Sequence, residues 1–257
     1  MGDKTRTRAF DLPETSSMCL TVIRLARSLP ILAITALFAA GAVAEDQPKK
    51  APPDEVKGLP LLLYEDFESG AGRWEPTDPK VWKIAEQDGN HTFEVFEKRS
   101  NFNPKHRSPF NRALLKDVNV GSFVLDVDLQ STIPDYGHRD LCLFFGYQDD
   151  AHLYYVHFGK KTDDYANQIF IVNDAPRKKI STKTTPGTDW DDAWHHARIV
   201  RDAESGKIDI YFDDMETPVM TAVDKTFTTG RIGIGSFDDT GRFDNIRLYG
   251  HKVDAKK

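Results

Sequence analysis

The 257-residue chain has few cysteines, little helical periodicity and no excess of positive charge. Of its two cysteines, Cys19 falls in an N-terminal leader, so Cys142 stands alone in the folded part and no disulfide framework can form. A formal net charge of −6 argues against a nucleic-acid backbone as partner. The lack of helical periodicity excludes a coiled coil. Hydrophobic side chains make up 39% of the chain, so we expect a fold held together by core packing alone.

The leader, residues 1–44, has the pattern of a cleaved export signal. Arg24 and Arg27 precede the apolar run 29–40, and alanines follow at the spacing that a signal peptidase accepts. The alternative is an uncleaved membrane anchor, but the run falls short of the roughly 20 residues needed to cross a bilayer. The polar prefix before Met18 indicates that Met18 is the true start. We therefore expect a secreted or periplasmic protein with no transmembrane anchor after cleavage.

The rest of the chain divides into a linker, one folded domain and a polar tail. Residues 45–58 are rich in proline and charge, which predicts an extended linker. We predict an all-β domain over 59–250 and a polar tail over 251–257, because short β-branched and aromatic runs bounded by turn residues fill the domain. The thirteen predicted strands are Leu61–Phe67, Trp82–Ala85, Thr92–Phe96, Arg112–Leu115, Ser122–Ser131, Leu141–Gln148, Leu153–Phe158, Gln168–Asn173, His195–Arg201, Lys207–Asp213, Val219–Val223, Arg231–Phe237 and Asp244–Tyr249.

Two strand patterns indicate how the layers face each other. In the strand 122–131, Leu125 and Leu129 share one face and polar residues share the other, which is typical of an antiparallel strand with one wetter face. Segments 141–145 and 168–172 are instead apolar on both faces. Because such strands are covered on both sides, we expect a loop or a ligand over the outer face of this part of the sheet.

Three segments together resemble the concanavalin A-like jelly roll, the laminin-G-like superfamily. They are the opening Tyr64–Gly70 with Trp74, the middle block Trp194–Asp202 with Gly206–Asp214, and the closing Gly230–Phe237 with Phe243–Leu248. The resemblance implies an antiparallel jelly-roll β-sandwich over nearly the whole domain. Within the superfamily the chain is also similar to the bacterial 3-keto-disaccharide hydrolase-like domains, which implies an exported protein that acts on saccharides.

Two catalytic signatures found on this fold are incomplete in the chain. Jelly-roll glucanases carry Glu-x-Asp-x-x-Glu, whereas Asp126 and Asp128 have no glutamate at either end, and we favour a solvated strand face for them. Jelly-roll polysaccharide lyases carry Gln-Ile-His, and this chain has Phe170 where the histidine belongs. We therefore expect neither activity.

The densest polar and aromatic region lies between residues 135 and 177. Saccharides are bound by aromatic faces packed on C–H surfaces and by planar polar side chains that pair with hydroxyls. If Tyr155 and His157 share an outward face, their strand neighbours face the core. The alternative is ordinary cross-strand pairing on a polar sheet face. We predict a saccharide-binding sheet face formed by Arg139, Tyr155, Asn167, Gln168 and Asn173.

Three residues of the same region are candidates for proton transfer in a glycoside hydrolase. They are His138, Asp140 and His157, which offer imidazole and carboxyl groups near the predicted saccharide face. A structural arginine–aspartate pair in the turn before a strand is the alternative for residues 138–140. As a binding module, the domain would use the same aromatic face without a catalytic pair.

Asp66 and Asp244 are candidates for a structural calcium site. Relatives of this fold often join the first and last strands through a hard cation, and these two aspartates lie at matching places near the ends of the domain. Calcium takes about six to eight oxygen ligands, some of them backbone carbonyls. The alternative is that both carboxylates accept local backbone hydrogen bonds in turns.

The sequence thus predicts an exported carbohydrate-active domain whose partner is a saccharide and which binds it with or without hydrolysis. A non-catalytic laminin-G-like adhesion or interaction domain of the cell envelope is the alternative function. If two carboxyls, or a carboxyl and an imidazole, meet in one cleft, hydrolysis gains support.

Overall fold

Strands make up nearly all the regular structure of residues 51–254, the part of the chain that the computed structural model describes. The predicted leader, including Met18, and residues 45–50 of the predicted linker lie outside the described residues. Between residues 51 and 254, no helix has the length and apolar character needed to span a membrane. In chain order the strands are β1 (Glu55–Val56), β2 (Leu59–Glu65), β3 (Trp74–Pro76), β4 (Trp82–Gln87), β5 (Asn90–Val95), β6 (Asn111–Leu115), β7 (Asn119–Ser131), β8 (Asp140–Asp149), β9 (His152–Gly159), β10 (Gln168–Asn173), β11 (Lys178–Lys179), β12 (Ser181–Thr184), β13 (His195–Arg201), β14 (Lys207–Phe212), β15 (Met220–Val223), β16 (Arg231–Ser236) and β17 (Gly241–Val253), with a 3-10 helix at Pro79–Val81.

The strands form two antiparallel sheets. The larger sheet has the order β1-β2-β17-β7-β13-β14-β15-β12, and the β4–β5 hairpin joins it through β5 and β17. The smaller sheet has the order β11-β10-β9-β8-β16-β6-β3. The all-β sandwich and every predicted strand are therefore confirmed, and the short strands β1, β3, β11 and β12 are additional to them.

One hydrophobic core lies between the sheets and follows the predicted alternation. Leu125 and Leu129 of β7 belong to the same buried cluster as Tyr154, Val156 and Phe158 of β9. Each fully buried side chain of this size stabilises the fold by roughly 1.5–3 kcal/mol relative to its exposed state. Residues of β9 that alternate with this set, among them Tyr155 and His157, therefore point away from the core.

The domain extends past both predicted boundaries. Strand β1 lies inside the predicted linker, where Val56 pairs with Leu59. Strand β17 runs to Val253, whose partner is Asn119, so the first three residues of the predicted tail lie in the sheet. Backbone ladder hydrogen bonds hold both ends in place, and side-chain hydrophobicity gives no signal for such bonds.

An ion-pair ladder crosses the outer face of the larger sheet. Asp126 and Asp128 of β7 lie opposite Arg198 and His196 of β13. Arg198 donates Nε and Nη2 to the two carboxylate oxygens of Asp126 at 2.5 and 2.8 Å, and His196 Nδ1 lies 2.6 Å from Asp128 Oδ1. Burial pushes the pKa of His196 down, but its bonds to both carboxylates outweigh burial and raise the pKa to about 9. Both aspartates are thus paired with basic side chains, and the expectation of a solvated strand face is wrong for Asp126, which is 3% exposed.

The pKa of His196 predicts a pH-dependent contribution to stability. Because the folded-state pKa of about 9 exceeds the unfolded value of 6.5, the contribution is complete below pH 6.5 and is lost as the pH rises through 9. His196→Gln should therefore lower the free energy of unfolding by on the order of 1 to 2 kcal/mol in mild acid, and by much less above the folded-state pKa. Urea unfolding of the unaltered and His196→Gln proteins, once in mild acid and once above the folded-state pKa of about 9, measures the difference. His251→Gln, at an exposed position, serves as control, and equal destabilisation by His196→Gln at both pH values would contradict the assignment.

Candidate functional site

The outer face of the smaller sheet carries a second, smaller hydrophobic cluster. Its members are Cys142 and Phe144 of β8, Leu153 and Tyr155 of β9, and Phe170 and Val172 of β10. An apolar sheet face of this kind must be shielded from water. Two of the three strands that carry this cluster, β8 and β10, are the ones predicted to be apolar on both faces. A cover over this face is therefore required, as predicted.

Residues 97–110, here called the cover segment, shield this face together with Arg177. The Arg112 guanidinium of β6 lies 5.1 Å from the Phe102 ring of the cover segment and 5.8 Å from the Phe144 ring of the sheet. Arg177 lies 4.7 Å from the Phe170 ring. Cation–π contacts of this type contribute roughly 0.5–2 kcal/mol each. The cover is therefore made by the chain itself.

The cover corrects the prediction of an exposed saccharide-binding sheet face. Tyr155 has no exposed surface, and its phenolic oxygen accepts a hydrogen bond from Arg177 Nη1 at 2.8 Å. Burial raises the pKa of Tyr155. His157 points outward as predicted but is only 6% exposed. The ring of Tyr155 consequently packs against protein side chains and offers no face to a sugar.

The other four predicted saccharide-binding residues are separated by the fold. Arg139 is buried and donates to Ser131 and to Asp192 Oδ1, the latter at 2.7 Å. The Asn167 side chain donates to Thr162 and to the Thr185 carbonyl, with its backbone in the left-handed region at φ 52°. The remaining two are Gln168, buried and bonded to the Asp163 carbonyl, and Asn173, exposed at the far end of β10. Local polar pairing takes up the side chains of Arg139, Asn167 and Gln168.

The structure does bring the three proton-transfer candidates together. His138, Asp140 and His157 line one cavity of about 190 Å³ beside the edge of the cover. Arg107, Tyr165, Arg177, Phe237 and Asp238 complete its wall. We call this space the dyad cavity, because a histidine and an aspartate meet at its floor.

The dyad itself joins neighbouring strands. His157 Nε2 lies 2.9 Å from Asp140 Oδ2, and the Nδ1 atom lies 2.8 Å from the Tyr165 carbonyl oxygen, to which it donates. Although burial lowers the pKa of His157, the negative charge of Asp140 outweighs it and the net shift is upward. Both ring nitrogens are therefore engaged by protein atoms. A positioning role fits His157 better than direct proton transfer to a substrate.

A cluster of three carboxyl groups lies beside the dyad. Single oxygens of Asp140, Asp238 and Asp239 all fall within 4.8 Å of one another. Asp239 is buried and accepts hydrogen bonds from the Tyr136 hydroxyl at 2.8 and 2.9 Å and from the Asp140 backbone at 2.9 Å. Burial, and then the charge of Asp140, raise the pKa of Asp239 to about 7. Asp238 and Asp239, a pair whose sequence pattern is typical of a turn, are thus part of the site.

A larger groove adjoins the dyad cavity at Asp238. It has a volume of about 550 Å³ and is lined by Lys98, Arg99, Ile133, Pro134, Asp135, Tyr136, Asp238 and Asp239. Tyr136 is 41% exposed, so one face of its ring is open to the groove. We call this space the Tyr136 groove. None of its lining residues is among the sequence-based candidates, although Asp135 and Tyr136 lie in the polar and aromatic region 135–177. An aromatic ring next to carboxyl groups is the signal that could have identified the groove.

Within residues 51–254, the aspartates of the predicted calcium site do not join a larger group of acidic, histidine or cysteine side chains. Asp66 Oδ1 accepts the Glu68 backbone N–H at 3.3 Å, and Asp244 accepts from Asn90 and Asn245. Neither aspartate belongs to the groups of three or more metal-ligating side chains that residues 51–254 form. Calcium binding by this pair stays a prediction.

Comparison with known proteins identifies the fold. No protein-family model and no curated protein matches the chain. The carbohydrate-binding module CBM66 from Bacillus subtilis matches with 17% sequence identity and a TM-score of 0.50, over 69% of this chain and 96% of the module. A mutant of the GH43 protein BlXynB from Bacillus licheniformis matches with 12% identity and a TM-score of 0.52, over 73% of this chain and 39% of that protein. The fold is accordingly a jelly-roll β-sandwich of the concanavalin A-like type, as the sequence resemblance predicts.

Proposed function

We propose that the chain binds a saccharide in the Tyr136 groove. The observation that carries the proposal is the open face of the Tyr136 ring beside the carboxyl groups of Asp238 and Asp239. A sugar presents C–H groups that pack on an aromatic ring and hydroxyl groups that bond to carboxylates and cations. The groove supplies all three partners, with Lys98 and Arg99 as the cations.

The dimensions and charge of the groove favour a small neutral saccharide. A volume of about 550 Å³ lies within the range of small-molecule sites. Lys98 and Arg99 offset two of the three lining aspartates in formal charge, and the third, Asp135, is paired with Lys160, so neither a strongly acidic nor a strongly basic ligand is selected. The hydrogen bond from Tyr136 to Asp239 holds the ring in place before binding, which reduces the entropy lost when a ligand is ordered.

The comparisons and the leader support this proposal at a coarser level. The Bacillus subtilis protein of the same fold is named a carbohydrate-binding module. The pattern of residues 1–44 supports export to the periplasm or the medium. An exported protein has access to saccharides outside the cell that makes it. Together they favour an exported saccharide-binding domain.

Glycoside hydrolysis is the second candidate function, because the carboxyl oxygens of Asp140, Asp238 and Asp239 lie within 4.8 Å of one another. Retaining glycosidases place two carboxyl groups roughly 5–5.5 Å apart, one as acid and one as nucleophile. Asp238 borders both the Tyr136 groove and the dyad cavity, so it reaches a sugar bound in either space. In this candidate function Asp238 is the nucleophile and Asp239 is the acid.

Replacing the exposed aromatic ring tests the binding proposal. Tyr136→Ala should weaken saccharide affinity by roughly 10-fold, about 1.4 kcal/mol, because the stacking surface is lost. Tyr136→Phe keeps the ring and loses only the hydrogen bond to Asp239, so its affinity should fall by less than that of Tyr136→Ala. A glycan array provides the ligand and calorimetry gives both affinities. Unchanged binding by a folded Tyr136→Ala protein would remove the groove from the proposal, and an array without any hit would favour the protein-interaction alternative.

Removing one carboxylate tests hydrolysis separately from binding. If the chain cleaves the glycan that it binds, Asp238→Asn should reduce product release by at least about 100-fold while the affinity changes little. Mass spectrometry of the products measures release. Asp117→Asn is the matched control, since Asp117 lies in an exposed turn and its left-handed backbone also suits asparagine. Absence of product from every bound glycan would reject the hydrolase and leave the binding module.

A further inference from the structure

We propose that Asp140, Cys142 and His157 together bind one Zn²⁺ ion at the floor of the dyad cavity. This inference concerns a site next to the Tyr136 groove and does not depend on saccharide binding. Zinc is bound in proteins by thiolate sulfur, imidazole nitrogen and carboxylate oxygen, and the three side chains offer one of each.

The backbone register brings the three donors together. Asp140 and Cys142 are two residues apart on β8, so they point to the same face of the sheet. His157 on β9 is the direct cross-strand partner of Cys142. Neighbouring side chains on one sheet face have Cβ atoms about 4.5–5.5 Å apart, close enough for their ends to share an ion.

The distances between the donor atoms suit a tetrahedral ion. His157 Nε2 lies 2.9 Å from Asp140 Oδ2, and Cys142 Sγ lies 3.4 Å from the same oxygen. Zinc bonds of about 2.0–2.3 Å require donor separations of roughly 3.2–3.7 Å at a tetrahedral angle. Two of the three separations are therefore within a few tenths of an ångström of these values, and Cys142 Sγ and His157 Nε2 lie within 4.8 Å of each other.

The orientation of the His157 ring is the independent observation that points to a ligand. Its Nε2 atom is buried and makes no aligned hydrogen bond within residues 51–254, although Asp140 Oδ2 lies 2.9 Å away. Because Nδ1 donates its N–H to the Tyr165 carbonyl, Nε2 is the ring atom that presents a lone pair to an ion once its proton is displaced. Metal-ligating histidines almost always donate their other ring N–H to a carbonyl or carboxylate in this way.

Charge and access also favour the ion. The thiol gives up its proton when it coordinates, so a thiolate and a carboxylate balance the two positive charges of Zn²⁺ inside a buried site. Asp140 and His157 line the dyad cavity, of about 190 Å³, so an ion held by them would have a fourth coordination position on the cavity side. Three protein ligands with one open position is the arrangement of zinc sites that hold a water or a substrate oxygen.

Cobalt substitution tests the ligand set directly on the purified full chain. After removal of metal, one equivalent of Co²⁺ should bind with a thiolate-to-cobalt charge-transfer absorption in the near ultraviolet, and Zn²⁺ should abolish that absorption by displacement. Cys142→Ser should remove the absorption, whereas Cys19→Ser should keep it. An unaltered chain without this absorption, or a Cys142→Ser protein that retains it, would overturn the proposal.

Zinc affinity tests the contribution of the imidazole. His157→Gln should weaken Zn²⁺ binding by at least about 10-fold in competition with a chromophoric chelator. His152→Gln is the matched control on the same strand, since its side chain is paired with Asp149 at the surface. Equal affinities of the His157→Gln and unaltered proteins would rule out His157 as a ligand. If His157→Gln does not fold, the cobalt spectrum of the unaltered chain decides whether the site binds metal. Saccharide binding at the Tyr136 groove is measured separately and does not depend on either result.

Discussion

Shielding of the outer face of the smaller sheet is the constraint on which the site depends. This face carries its own hydrophobic cluster, so the sheet has apolar surfaces on both sides. The cover segment and Arg177 satisfy the constraint with aromatic rings and guanidinium groups that stack on one another. A sheet face covered in this way cannot be a broad binding platform. Access is confined to the edge of the cover, where the Tyr136 groove and the dyad cavity meet at Asp238.

The strands were predictable because their signals are local. Alternation in β7 and continuous apolar sequence in β8 and β10 follow directly from which faces are buried, and all thirteen predicted strands are present. The ends of the domain were less predictable. Backbone pairing extends β17 to Val253 through residues such as His251 and Lys252, whose polar side chains carry no strand signal.

The candidate site could be predicted only in part. The grouping of His138, Asp140 and His157 in one cavity agrees with the sequence, because two of these residues lie on neighbouring strands and the third precedes one of them. The role of Asp238 and Asp239 was hidden, since an aspartate pair after a strand has the same pattern whether it forms a turn or borders a groove. Tyr136 could not be identified from the sequence either, because it contacts Asp239 although the two residues are 103 positions apart in the chain.

The position of β17 has a consequence for how the domain is completed. This last strand lies in the interior of the larger sheet, between β2 and β7, and also pairs with β5. The centre of that sheet is therefore missing until β17 takes its place, and β2 and β7 do not form part of one continuous sheet before then. Because β17 joins segments that are far apart in the sequence, the larger sheet depends on non-local pairing, which is slow to form.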